Sequence, residues 1–363
     1  MSAYTLPQSQ SPVPARGRWW TNRAGYLAAA WAALSGVLAL VWTISGSGYP
    51  YGTADPQGTA SLLRFLPPDV GALVFAGLTI TVAVAALAMS GPQAVRLRGV
   101  ARVLLVAYCG TVVAFLLVVV PDVQVLTTAG YLPMLIIGAP FGWPPVDYAE
   151  VFTWSLGNKV WAMAGGILLA RTVLTWLFRT GGACLSCGRS ADGPTWTSAE
   201  SAARWGRWAT YLAAAIPLLY AATRFAWLAN IPLGVSPEFL REMWDTGLVW
   251  AGGGLAAFAV VGAVLTLGLV QRWGERFPRW MIGLSGRRVP IMLAVVPATL
   301  VAIAVTAGGL AMYSLPEVWD FEAFSFSVGP ALLWPLWGVA LGAAALAYHL
   351  RRRGGCSRCS RDD

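Results

Sequence analysis

The sequence predicts an all-α integral membrane protein: eight transmembrane helices in two parallel four-helix repeats. Three observations carry that reading. Of 363 residues 57% are hydrophobic and only 11% charged, far below the roughly 25% charge of an ordinary soluble domain. Apolar runs, each long enough for a ~30 Å hydrocarbon core, fall at 25–46, 70–90, 100–120, 156–178, 208–229, 247–270, 289–312 and 329–350. Finally, short segments of the first half recur in the same order in the second.

Residues 1–18 (MSAYTLPQSQSPVPARGR) are polar and rich in Pro, Ser and Gln. Such a segment buries too little apolar surface to fold and carries no secretory signal pattern, so a disordered cytoplasmic tail is expected. The first repeat then covers 19–189, a cytoplasmic linker 190–205 and the second repeat 206–363. Arginine marks the sides. Arg16, Arg18 and Arg23 precede the first run, and Arg96, Arg98 and Arg102 lie between the second and third. Arg179, Arg189, Arg204 and Arg207 follow the fourth, Arg272, Arg276, Arg279, Arg287 and Arg288 the sixth, and Arg351, Arg352, Arg353, Arg358 and Arg361 the eighth. The alternate loops hold only Arg64 and Arg241. By the positive-inside rule both termini are cytoplasmic, and the nineteen tryptophans suit a protein with two membrane–water interfaces in a cell membrane. The net charge of +9 therefore reports topology and attraction to anionic lipid. The bilayer and a cytoplasmic protein are the partners expected; nucleic acid is not.

Two stretches stand apart from the eight runs, and neither is read as a ninth span. TAGYLPMLIIGAPFGW (128–143) is apolar but broken by Pro133 and Pro140, so it is expected at the outer interface or as a re-entrant segment. SAESAARWGRW (198–208) has the pattern of a short amphipathic helix lying on the inner surface.

EVFTWSLG (150–157) aligns without a gap to EAFSFSVG (322–329). The same 172-residue shift places Cys184, Cys187 and Arg189 on Cys356, Cys359 and Arg361, and Gly166 on Gly338. YLAAA at 26–30 recurs at 211–215, Pro50-Tyr51-Gly52 resembles Pro232-Leu233-Gly234, and Asp69-Val70-Gly71 resembles Asp245-Thr246-Gly247. Four spans per unit give both units the same orientation, about an axis near the membrane normal.

Each unit ends in a CxxC pair preceded by two glycines. Cytoplasmic thiols stay reduced, which argues against structural disulfides. Two CxxC pairs supply the four thiolates of a tetrahedral zinc site, and the repeat symmetry brings the two pairs together. Cys184, Cys187, Cys356 and Cys359 are therefore the candidate ligands of one structural Zn²⁺, with a thiol redox role or no metal as the alternatives. Membrane thiol oxidoreductases need cysteines at the outer face or within spans, and Cys109 is the only one inside a span, where a lone cysteine packs as a small hydrophobe.

Glu150 and Glu322 precede the fourth and eighth spans, whose N-caps are read as Ser155 and Ser327; Asp69 and Asp245 head the second and sixth. Two readings stand for these acids: helix caps and dipole partners, or an outer vestibule of four carboxylates for a cation. Lys159, one turn into the fourth span, and Arg224, in the outer part of the fifth, are intramembrane charges and hence candidate substrate-binding groups, unless they snorkel to the interface. Arg171 snorkels to the inner side. Pro217, Pro297 and Pro335 lie within spans of the second repeat. With His349 the only histidine there is no bis-histidine haem pair, HExxH or Ser–His–Asp set, so hydrolytic or redox catalysis is not expected.

YAATRFAWLANIPLG (220–234) and LTLGLVQRWGERFPRWMIGLSGRRVP (265–290) resemble a group of polytopic bacterial membrane proteins with no assigned activity. The resemblance covers mainly the second half and transfers no functional residue. Two functions fit the pattern. One is a small-solute or ion transporter or channel with its path between the repeats. The other is a membrane scaffold or sensor whose cytoplasmic zinc clip locks the halves and docks a partner.

Overall fold

The computed structural model describes residues 18–90, 94–142, 146–185, 187–189, 195–277, 281, 283, 285–315, 318, 329–354 and 356. It is all-helical, 77% helix, with no strand among the described residues. In chain order the helices are α1 (Arg18–Ser45), α2 (Pro68–Ser90), α3 (Gly99–Ala114, continued by a π turn, Phe115–Val119), α4 (Val123–Gly138), α5 (Tyr148–Val151) and α6 (Trp154–Thr180). There follow α7 (Ala199–Leu228), α8 (Pro237–Asp245), α9 (Leu248–Leu267), α10 (Ile291–Met312), α11 (Gly329–Leu332) and α12 (Trp334–Arg352).

Eight helices are long and apolar enough to cross a membrane: α1, α2, α3 with its π turn, α4 with the 3-10 turn that follows it, α6, α7, α9 and α10. Their outward faces carry large exposed apolar side chains such as Leu34, Ile44, Val103 and Val261, as expected of surface in contact with lipid rather than water. This set of eight differs from the eight runs at one member. α4 qualifies, whereas α12 does not, because His349, Arg351 and Arg352 in its last turn lower its mean hydropathy. Packing separates the two cases. α12, 19 residues and about 28 Å long, packs along both α7 and α10. α4, in contrast, is tied at its start to the N-cap of α6 and in its last turn to α5. Gln124 Nε2 donates to Thr153 Oγ1 at 3.0 Å, and the Leu135 carbonyl accepts from the Tyr148 hydroxyl at 3.4 Å. The helix runs through Pro133, so that proline does not break it.

The two halves pair their helices in the same order. α1 packs on α2 and α6, and α3 on α6; α7 packs on α9 and α12, and α10 on α12. Small residues let the backbones approach. A methyl group at Gly165 would run into the Trp31 ring, one at Gly206 into Ala347, and one at Gly338 into Thr306 and the Ala302 carbonyl. Between the halves α10 lies against α4 and the π turn, and Gly308 faces Leu126.

Three local expectations need correction. Residues 198–208 are not a separate surface helix but the first turns of α7, which Ser198 caps through Ser201 N at 3.3 Å; no proline interrupts it there, and it continues past Pro217. The N-cap of α6 is Thr153 rather than Ser155: its hydroxyl accepts from Leu156 N at 3.1 Å, while Ser155 is buried inside the first turn. Asp245 does not head a span. It closes α8, and α9 starts after Gly247, whose φ of 72° turns the chain. Ser327 lies outside the described residues.

The loop between α1 and α2 is the element that positions a site. Tyr49 and Tyr51 are buried beside Phe75, with Tyr51 stacked on it at 4.8 Å, and the Tyr51 hydroxyl donates to the Asn158 carbonyl of α6 at 3.1 Å. This aromatic plug folds the loop back over the helix ends and carries Asp55 inside.

Candidate metal centre and buried charge cluster

At one end of the bundle the cysteine segments of the two halves meet. α6 ends at Thr180; Gly182 follows with φ 69°, and Ala183 N donates to the Phe178 carbonyl at 3.0 Å. Cys184 then opens a tight turn. Gly188 N donates to the Cys184 carbonyl at 2.7 Å and Cys184 N to the Arg189 carbonyl at 2.9 Å. Gly188 has φ 73° and packs on the Phe178 ring, where a Cβ would clash, so glycine is required there. From the other half, α12 ends at Arg352 and leads to Cys356.

The Sγ atoms of Cys184 and Cys356 are 3.9 Å apart, and those of Cys184, Cys187 and Cys356 all lie within 4.8 Å of one another. A disulfide would need about 2.05 Å. Thiolates on a tetrahedral ion with 2.3 Å bonds stand roughly 3.8 Å apart, so the separation matches metal ligands and these three cysteines can hold a metal ion. Cys359, the fourth candidate, lies outside the described residues. Two arginines lock the segments reciprocally. Arg189, 8% exposed, donates to the carbonyls of Gly354 at 3.3 Å and Arg353 at 3.5 Å. Arg353 donates to the Cys187 carbonyl at 3.4 Å and the Thr197 carbonyl at 2.8 Å. Their guanidinium charges would offset the negative charge that several thiolates bring to a bound ion.

At the opposite end of α6 lies a cluster that the sequence reading missed in part. Lys159 is 1% exposed and does not snorkel. Its Nζ donates to Asp55 Oδ2 at 2.7 Å, Asp122 Oδ2 at 2.6 Å and Gln124 Oε1 at 2.9 Å. These are all three donors that an ammonium has. The carboxylates are 2% and 0% exposed, and each also caps a turn: Asp55 accepts from Gln57 N and Asp122 from Gln124 N, both at 3.1 Å. Burial pushes the Asp122 carboxyl above the ordinary carboxylate range, against the pull of Lys159. The cluster thus ties the α1–α2 loop and the start of α4 to α6. Lys159 was legible because it is the chain's only lysine inside an apolar run. Its partners were not, since each sits in a turn and the pairs are 104 and 37 residues apart. The one available signal was the Asp-Val-Gln order at 122–124, a helix start.

The remaining candidates do not gather. Asp69 and Glu150 stand in the first turns of α2 and α5, Asp245 at the end of α8, all exposed. No side chain among the three makes an ion pair or hydrogen bond with another described residue. Glu322 lies outside the described residues. Arg224 is half-buried on α7 between the rings of Tyr220 and Trp227. Arg171 is exposed on α6, and Cys109 is buried in α3. Comparison with family models, with curated proteins and with solved structures finds no match to this chain.

Proposed function

We propose that this protein is a cell-membrane scaffold or sensor whose two parallel four-helix repeats are locked on the cytoplasmic side by one shared zinc–tetrathiolate clip, which also presents a docking face to a cytoplasmic partner. The observation that carries the reading is the 3.9 Å approach of Cys184 to Cys356 across a separation of 172 residues. Cys359 supplies the fourth thiolate, because it stands to Cys356 as Cys187 stands to Cys184. Zinc is the metal that four thiolates in a tetrahedron suit best. The like pairing of helices in the two halves supports the repeats, and the arginine-rich loops at the cysteine end support its cytoplasmic placement. The transport reading draws no comparable support: the described outer acids stay exposed and do not gather.

Two measurements test the proposal together. Reporter fusions after residue 190 and at the C-terminus are both expected to read as cytoplasmic, and metal analysis of the purified chain is expected to give one zinc per polypeptide. An external signal from either fusion reverses the sidedness; absence of stoichiometric metal removes the clip.

A further inference from the structure

The Lys159 cluster is unbalanced in charge. One ammonium meets two carboxylates, the three groups 1%, 2% and 0% exposed, and their sum when ionised is one negative charge. The ammonium has no donor to spare, because Asp55, Asp122 and Gln124 take all three. The other oxygen of each carboxylate accepts from a backbone N–H, that of Gln57 or that of Gln124. Backbone amides orient the carboxylates but bring no full charge.

Among the described residues no packed element brings a second cation. α9 and α10, which lie against α4, contain no ionisable side chain, and neither does the π turn. α2 offers only Asp69, and α5 only Tyr148 and Glu150, all exposed. Arg23 and Tyr26 of α1 flank Gly25, which faces Thr172, and Arg102 of α3 stands over the Trp176 ring. They lie three turns or more of α6 away from Lys159, as do Arg171 and Arg179 of α6 itself. Tyr108 and Cys109 of α3 and Tyr131 of α4 are neutral groups at neutral pH. In the α1–α2 loop Arg64 lies over the Phe65 ring at 4.4 Å, without an ion pair, and burial pushes the Tyr49 and Tyr51 phenols up.

An unbalanced charge out of reach of water neutralises by taking up a proton, and of two carboxylates that share a site one keeps its proton well above the ordinary range. Asp122 is the more deeply buried of the two and lies between two spans, after Val119 and before Val123. Burial raises its carboxyl, Lys159 pulls it back and Asp55 adds to the rise. We infer that the cluster binds one proton, held on the Asp122 carboxyl, and that its release as pH rises unfastens the α1–α2 loop and the start of α4 from α6. With the proton bound, one ammonium faces one carboxylate; without it, a buried negative charge stands uncompensated. Unfolded aspartates titrate at about 3.9, below Asp122 in the folded chain. The stabilisation is therefore present in full below that value and is lost as pH rises through the titration of the folded protein. The inference is independent of the zinc clip, which lies at the other end of α6.

The experiment uses the full chain in detergent, with isotope-labelled aspartate and infrared spectra taken across a pH series. Wild type is expected to show the C=O stretch of one protonated aspartic acid per chain at pH values where exposed aspartates are ionised. As pH rises that band is expected to vanish, while the unfolding midpoint falls and hydrogen exchange quickens in the α1–α2 loop and the start of α4. Asp122→Asn, which keeps the helix cap, is expected to lack the band and this fall in midpoint. Asp55→Asn leaves Asp122 in place but balances the cluster, so it is expected to ionise Asp122 and remove the band as well. A merely structural role for Asp55 would leave the band where it was, and wild type alone still decides if either variant fails to fold. Absence of the band from wild type above about pH 5, its persistence in either variant, or its loss without faster exchange overturns the inference.

Discussion

Lys159→Met is expected to abolish most of the folded protein. The substitution leaves Asp55 and Asp122 buried, 2% and 0% exposed, with no cation between them. Breaking a buried charge set in this way costs about 3–5 kcal/mol, a large share of the roughly 5–15 kcal/mol that holds a domain together. The cost comes from the stranded carboxylates rather than from a lost gain of the pair. Lys159→Met combined with Asp55→Asn and Asp122→Asn is therefore expected to recover folded protein, because buried charge is gone and asparagine still caps the start of α4. Monodisperse yield in detergent and the unfolding midpoint measure both. Wild-type behaviour of Lys159→Met alone would show that the cluster does not fasten the loop and α4 to α6.

The second large effect is expected at the cysteine end. Structural zinc sites in small peptides contribute on the order of 10–16 kcal/mol of binding free energy, so loss of one thiolate should lower metal affinity by orders of magnitude. Here the helices also pack on one another, and a metal at the cysteines would act on the α6 and α12 ends and the linker that Arg353 holds through Thr197. Cys184→Ser and Cys356→Ser are expected to lose zinc, lower the unfolding midpoint and open the segment near 195–197 to proteolysis. A strong chelator should reproduce all three changes in wild type and add nothing in the variants. Cys109→Ser, inside α3 and away from the clip, is expected to keep its zinc. An unchanged zinc content in Cys184→Ser would contradict the ligand assignment.

Much of this architecture was legible in the sequence because the bilayer imposes a length rule. Every apolar run of the reading appears as a helix; the count missed α4, which is long and apolar enough to cross despite Pro133, and the other departures are at ends, where periodicity is silent. α7 starts at Ala199 because Ser198 caps it, a local hydrogen bond that an apolar-run count cannot see. The meeting of Cys184 with Cys356 was legible for a different reason: two matched segments at one shift imply equivalent positions in two like units. The Lys159 cluster was half legible. A lone lysine in an apolar helix announces that partners exist, but Asp55 and Asp122 sit in turns whose return path depends on tertiary packing. Tyr51 on Phe75 brings one of them in, and the π turn that ends α3 delivers the other. The vestibule reading of the acids at 69, 150 and 245 rested on symmetry, and side chains at exposed helix ends need no partner.

The central claim is that cysteines from both halves share one zinc ion, and X-ray absorption at the zinc edge of the purified full chain tests it most directly. The predicted result is one zinc per polypeptide with a shell of four sulfurs at about 2.3 Å, lost on chelation together with the drop in unfolding midpoint. A shell dominated by nitrogen or oxygen, or two sulfurs per metal with zinc shared between polypeptides, would contradict it.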